Sequence, residues 1–120
     1  MDKTESREDY LEAILQLSEK MEVVRSIDVA KHLNFSRASV SIAMKKLKGE
    51  NLVDVKDNGE VILTPRGRDI AKKTLAKHEF LTSWLVKVGV SSERAEEIAC
   101  EVEHSIDEDT FEKIKKYVTK

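Results

Sequence analysis

The sequence predicts a mainly α-helical fold, with a winged helix-turn-helix in its N-terminal part and a wholly helical C-terminal part. Three observations carry this expectation. Apolar residues recur at helical spacing along most of the 120 residues. That pattern breaks once, where the β-rich runs Leu52-Val53-Asp54-Val55 and Glu60-Val61-Ile62-Leu63 flank Asn58-Gly59, a pair favoured in tight hairpin turns. Ahead of the hairpin lie two short helical segments joined by a tight turn, so the order is helix, short helix, turn, helix, hairpin.

Residues 6–20 read as the first helix. Tyr10, Leu11, Ile14, Leu15 and Leu17 form its apolar side, and Glu8, Glu12, Gln16 and Glu19 line the other. Ser6-Arg7-Glu8-Asp9 has the form of a capping box and sets its start. A second helix begins near Ser26-Ile27-Asp28 and carries Val29, Ala30 and Leu33. A third starts at Ser36, with Val40, Ala43, Met44 and Leu47 at helical spacing, and Asn51 stands where a left-handed terminating residue belongs. After the hairpin, Thr64-Pro65 restarts a helix, with Thr64 as cap and the only proline at the first helical position. This fourth helix runs to about Lys87 and ends at Gly89. Ser91 or Ser92 caps a fifth, and Asp107 caps a sixth that reaches the C-terminus. The domain boundary is expected within the fourth helix, giving residues 1–70 and 71–120.

Bulk properties narrow the classes. Hydrophobic content of 40% and charged content of 37% describe a charge-rich chain with a modest core. No apolar run approaches a membrane span, and the N-terminus is unlike a signal peptide, so a cytoplasmic protein is expected, with its one cysteine reduced. A net charge of −2 means that any DNA-binding surface must concentrate basic residues on one face.

The stretch SIDVAKHLNFSRASVSIAMKKLKGENLVDV provides such a face. Ala30, Leu33, Val40 and Leu47 pack the two helices, and Asn34 suits the unusual backbone angles of the turn. The N-terminal residues of the recognition helix, Ser36, Arg37, Ala38, Ser39, Ser41 and Ile42, then face the major groove of double-stranded DNA. Serine and arginine suit phosphates and base edges, and Ile42 suits a thymine methyl. Lys45, Lys46 and Lys48, with Lys56 on the hairpin and Arg66 and Arg68 after it, suit phosphate contacts. The plainer alternative is a protein-interaction module whose lysines are a solvated face.

On the fifth helix Ala95, Ile98, Ala99, Val102 and Ile106 form an apolar stripe. Cys100, Glu103 and His104 lie on another side, at i, i+3 and i+4, which gathers a thiolate, a carboxylate and an imidazole. By itself this segment fits a metal site and a coincidence of composition equally well. Asp9 and Glu12 are one i, i+3 step apart, but a capping role and an exposed helix face also account for them. His78 reads as a core histidine, and His32 as structural or surface-exposed.

Together these motifs resemble a known family. Asp9-Tyr10-Leu11-Glu12 on a helix, then a winged helix, then AKHEFLTSWL and CEVEHSID in that order, are similar to the diphtheria-toxin-repressor family of metal-dependent transcriptional regulators. The resemblance covers essentially the whole chain and points to the short, manganese-regulator branch without an SH3-like domain. It implies a DNA-binding domain over residues 1–70 and a helical metal-binding and dimerisation domain over 71–120. It also implies a homodimer on a DNA operator, with metal activating repression of metal-uptake genes. The metal ligands it implies are Asp9, Glu12, His78, Cys100, Glu103 and His104. Cys100 departs from the manganese branch, which has glutamate there. Thr82 and Glu96 depart from the ancillary site of the iron-responsive branch.

Carboxylate and imidazole ligands suit Mn²⁺ and Fe²⁺, and a thiolate makes the site softer, tilting it toward Fe²⁺, Co²⁺, Ni²⁺ or Zn²⁺. Fe²⁺ or Mn²⁺ is the expected physiological ion. One rival is a winged-helix regulator answering to an organic ligand or a protein, and another is a structural Zn²⁺ protein. An enzyme with a Cys100–His104 pair is not expected, because no oxyanion-hole motif or glycine-rich loop accompanies it. The four glycines fall at turns or helix ends.

Overall fold

The computed structural model describes residues 3–118, with side chains from residue 7 onward. Six α-helices and one hairpin follow in the order α1 (Lys3–Ser18), α2 (Ser26–Leu33), α3 (Arg37–Gly49), β1 (Val53–Val55), β2 (Val61–Leu63), α4 (Pro65–Lys87), α5 (Ser92–Val102) and α6 (Glu108–Val118). A single 3-10 turn, Glu103–Ser105, follows α5. The chain divides into two compact units, Met1–Lys72 and Lys73–Lys120, and the division falls inside α4.

In the first unit, α1 packs on α2 and β2, α2 on α3, and α3 on β1. Leu11, Ile14 and Leu15 of α1, Val29 and Ala30 of α2, and Val40, Met44 and Leu47 of α3 are all buried, as are Leu52, Val53 and Val61. Tyr10 and Phe35 stack edge to face at 5.7 Å. The helix-turn-helix turn depends on Asn34, at φ 59°, which lets the Phe35 N–H reach the Ala30 carbonyl at 3.0 Å. Asn51, at φ 60°, ends α3 in the same way, with the Leu52 N–H donating to the Leu47 carbonyl at 3.0 Å.

The second unit is held by Leu81, Ala95, Ala99 and Phe111, with Phe80 edge-to-face on Phe111 at 5.5 Å. Caps set its boundaries. Gly89, at φ 109°, ends α4, and the Ser91 hydroxyl accepts from the Arg94 N–H at 3.3 Å to start α5. Asp107 starts α6 by accepting from the Thr110 N–H at 2.7 Å. That backbone bond and the Thr110 side chain hold its carboxyl below the usual aspartate range.

Four local expectations are corrected. Helix α1 begins at Lys3 and not at Ser6, because nothing in Lys3-Thr4-Glu5 breaks a helix. The capping hydrogen bonds expected of the Ser6 side chain lie outside the described residues. The hairpin loop is three residues, 57–59: the Gly59 N–H donates to the Lys56 carbonyl at 2.9 Å and the Lys56 N–H to the Glu60 carbonyl at 2.8 Å. Only Gly59 of this loop has positive φ, at 88°, so this is a type I turn closed by a left-handed glycine rather than a two-residue turn. Glu12, placed on the polar side of α1, is 7% exposed. Val102, placed in the apolar stripe of α5, is 37% exposed as the last residue of that helix.

Candidate metal centre and nucleic-acid interface

In the second unit, α4 carries His78, the last turn of α5 carries Cys100, and the 3-10 turn carries Glu103 and His104. On a helix, side chains three apart lie on neighbouring positions of one face. Cys100 and Glu103 are three apart. One ligand atom each from His78, Cys100 and Glu103 lies within 4.8 Å of the others. Metal–ligand bonds of roughly 2.0–2.3 Å place the ligand atoms of one ion about 3–4.5 Å apart, so this spacing needs only a small contraction.

Glu103 is the centre of the group. Its side chain is 0% exposed, and the His78 Nδ1–H donates to its Oε2 at 3.1 Å. Its other oxygen, Oε1, lies 3.4 Å from His104 Nε2 and accepts no hydrogen bond from the described residues. A fully buried carboxylate with an oxygen left this way is costly unless a cation completes it. This orphaned oxygen, beside two imidazoles and a thiol, is the observation that a divalent metal fits. Cys100 is exposed and in no disulfide, as an entry-side ligand would be. Thr82 Oγ1 is buried without a hydrogen bond among the described residues, and Glu96 is exposed. Neither is part of the His78–Cys100–Glu103 group.

In the first unit, Asp9 and Glu12 lie on α1, Asp9 half-buried and Glu12 buried. The Tyr10 hydroxyl is held above its usual pKa, first by its burial and then by the Asp9 charge. His32 is exposed, with its Nε2 3.1 Å from Gln16 Oε1.

The expected reading helix is α3. Ser36 caps it, its hydroxyl accepting from the Ser39 N–H at 3.1 Å and donating to Ser39 Oγ at 2.9 Å. Val40, Met44 and Leu47 are buried, which turns Arg37, Ala38, Ser39, Ser41, Ile42, Lys45, Lys46 and Lys48 to the surface, all exposed. No acidic residue occurs on this helix. Ser41, Met44, Lys45 and Lys48 line a cleft of about 270 Å³ with Ser26 and Val55. On the wing, Lys56 Nζ lies 3.7 Å from Glu60 Oε1. Arg66 donates to the Glu50 carbonyl at 3.4 Å, so its expected phosphate contact competes with an internal one.

Sequence reasoning missed what anchors the wing. Arg25 and Glu60 form an isolated bridge, the Val61 N–H donates to the Val24 carbonyl at 2.7 Å, and Arg25 Nε donates to the Asn58 carbonyl at 3.4 Å. A pairing this short leaves no periodic signal. Only the single Val-Val-Arg run before Ser26 hints at it.

Comparison with known proteins agrees with both halves. Residues 2–61 match the model of the iron-dependent repressor N-terminal DNA-binding domain. Residues 64–120 match that of the iron-dependent repressor metal-binding and dimerisation domain. The HTH-type transcriptional regulator MntR of Bacillus pumilus is 35% identical over 112 residues, 92% of this chain and 77% of that protein. An uncharacterised HTH-type transcriptional regulator of Methanocaldococcus jannaschii is 33% identical over 119 residues, 98% of this chain and 95% of that protein. Among solved structures, a manganese-dependent transcriptional repressor in complex with manganese matches 94% of this chain with a TM-score of 0.84 at 26% identity. The manganese regulator SloR matches 94% with a TM-score of 0.83 at 28% identity. The chain spans about half the length of these two, 52% and 53% respectively. It belongs to the iron-dependent repressor family, the diphtheria-toxin-repressor group of metal-dependent transcriptional regulators that its motifs resemble.

Proposed function

We propose that this protein is a metal-activated transcriptional repressor that binds a DNA operator as a homodimer and controls metal-uptake genes. The observation that carries the metal half is Glu103, a buried carboxylate whose Oε1 accepts no hydrogen bond among the described residues, grouped with His78 and Cys100. Asp9 and Glu12 are the further ligands that the family resemblance adds, and the burial of Glu12 supports its inclusion. Residues 1–70 form the DNA-binding domain in this reading, and residues 71–120 the metal-binding and dimerisation domain. Trp84, Val86, Val88 and Val102 are 43%, 43%, 61% and 37% exposed, and they are the apolar surface that a second copy would cover.

A bound divalent cation supplies the positive charge and fixed coordination angles that these acids lack. The protein's part is to present Glu103 already desolvated and to orient it through His78. In this reading, metal occupancy fixes the orientation at which the dimer presents its α3 helices. DNA demands a fixed half-site spacing, so fixing that orientation raises operator affinity. Ser36, Arg37, Ala38, Ser39, Ser41 and Ile42 read the groove, and Lys45 and Lys56 hold phosphates. The two solved structures named for manganese support a metal effector over an organic ligand. Fe²⁺ and Mn²⁺ are the physiological candidates, with Zn²⁺, Co²⁺ and Ni²⁺ binding in vitro.

Anaerobic titration with Mn²⁺ or Fe²⁺ tests the reading directly. About stoichiometric uptake and a metal-dependent rise in DNA affinity are expected, and DNA affinity equal with and without metal would overturn it. A second expectation concerns the thiol. Cys100→Glu exchanges a soft ligand for a hard one and should move the metal ranking toward Mn²⁺ by about tenfold or more relative to Zn²⁺ and Co²⁺. Competition titrations report the ranking, and an unaltered order would show that Cys100 is not a ligand.

A further inference from the structure

Resting on the reading of α3 as the DNA-contacting helix, we infer that Ile42 sets operator specificity by packing on a thymine methyl in each half-site. Ile42 is 69% exposed in the middle of α3. At about 100° per residue, it lies within roughly 15° of the direction opposite the buried Val40–Met44–Leu47 stripe. No fold contact explains it, and a β-branched residue on an exposed helix face lowers helix propensity. Its surroundings identify the occupant. Ala38 lies one turn before it, so the helix presents an apolar strip flanked by Arg37, Lys45 and Lys46, with no carboxylate on α3. A basic, acid-free helix with an apolar centre suits a polyanion that carries an apolar group at its reading surface. The thymine C5-methyl is the apolar group that the major groove of unmodified DNA offers, and Ile42 has no polar atom with which to read any other base feature.

The Mn²⁺-saturated full-length protein is used to select its preferred site from a random duplex library, and each dT of that site is then replaced singly by dU. One position per half-site is expected to lose about fourfold in affinity, the worth of one buried methyl group. Ile42→Val should keep that loss, and Ile42→Ala should bind the dT and dU duplexes within twofold of each other. Because Ile42 is solvent-exposed, both variants should fold. A selected site whose every dU replacement binds the unsubstituted protein within twofold overturns the methyl contact and leaves DNA recognition intact. An Ile42→Ala protein that retains the fourfold loss overturns the methyl contact equally. Failure to enrich any sequence, with no metal-dependent DNA binding, overturns the DNA reading and this inference with it.

Discussion

Glu103→Gln is expected to abolish metal-dependent DNA binding while leaving a folded protein. The glutamine carbonyl can still accept from His78 Nδ1–H, which lies 3.1 Å from Glu103 Oε2, so the local geometry has a replacement for the lost hydrogen bond. It removes a charge whose side chain is 0% exposed, and it puts an amide N–H where Oε1 stood, 3.4 Å from His104 Nε2. Metal-free stability should therefore stay level or rise, since breaking up a buried ionic group with a neutral isostere spares desolvation. The metal response should vanish. At free metal 100-fold above Kd, the unsubstituted protein gains about 2.7 kcal/mol of stability. The variant should gain none under the same conditions. Chemical unfolding with and without Mn²⁺ measures both quantities, and a variant still stabilised to the same extent would remove Glu103 from the ligand set.

The second large effect concerns the packing of the first unit. Gly67→Ala should destabilise the DNA-binding unit by about 2 kcal/mol or more, although alanine is the better helix former by about 1 kcal/mol. A Cβ on Gly67 would stand 1.9 Å from the Leu52 carbonyl oxygen and 2.9 Å from its carbon. These are backbone atoms of a buried residue, and the same carbonyl accepts from the Thr64 N–H at 3.1 Å, so it cannot swing aside without undoing the start of α4. Gly49→Ala is the matched control, because nothing lies within 4 Å of its Cβ position. It should be neutral or slightly stabilising. Urea unfolding of the two variants compares them, and a Gly67→Ala protein as stable as Gly49→Ala would show that the close approach is absent.

These two residues illustrate how much was legible in the sequence. Features set by local chemistry could be read from it: Asn34 and Asn51 in left-handed turns, Ser36 and Ser91 as caps, Thr64 with its hydroxyl accepting from the Gly67 N–H at 3.0 Å, and the stop at Gly89. Each depends on a side chain and a few neighbouring backbone atoms. Features set by distant neighbours could not. Gly67 looks like any helix-end glycine until the Leu52 carbonyl is seen against it. Glu12 follows polar periodicity yet is buried. Asn58-Gly59 specifies a turn, but the loop length follows from where the strands register, Val55 opposite Val61. For the candidate site, spacing alone singled out Cys100, Glu103 and His104 as candidates. Helical periodicity placed His78 in a core, and its 3.1 Å hydrogen bond to Glu103 joins residues 25 apart in sequence. The wing's attachment at Arg25 is equally non-local.

In the proposed function, metal and DNA bind to one coupled equilibrium, and linkage makes that coupling quantitative. If metal tightens DNA binding by some factor, DNA must tighten metal binding by the same factor. The decisive measurement is the anaerobic Mn²⁺ affinity of the full chain, free and saturated with its selected duplex, alongside duplex affinity with and without Mn²⁺. Two equal factors of about tenfold or more are expected, both reduced to one in Glu103→Gln. Stoichiometric metal binding with an affinity that DNA leaves unchanged would contradict the coupling and identify the metal as structural.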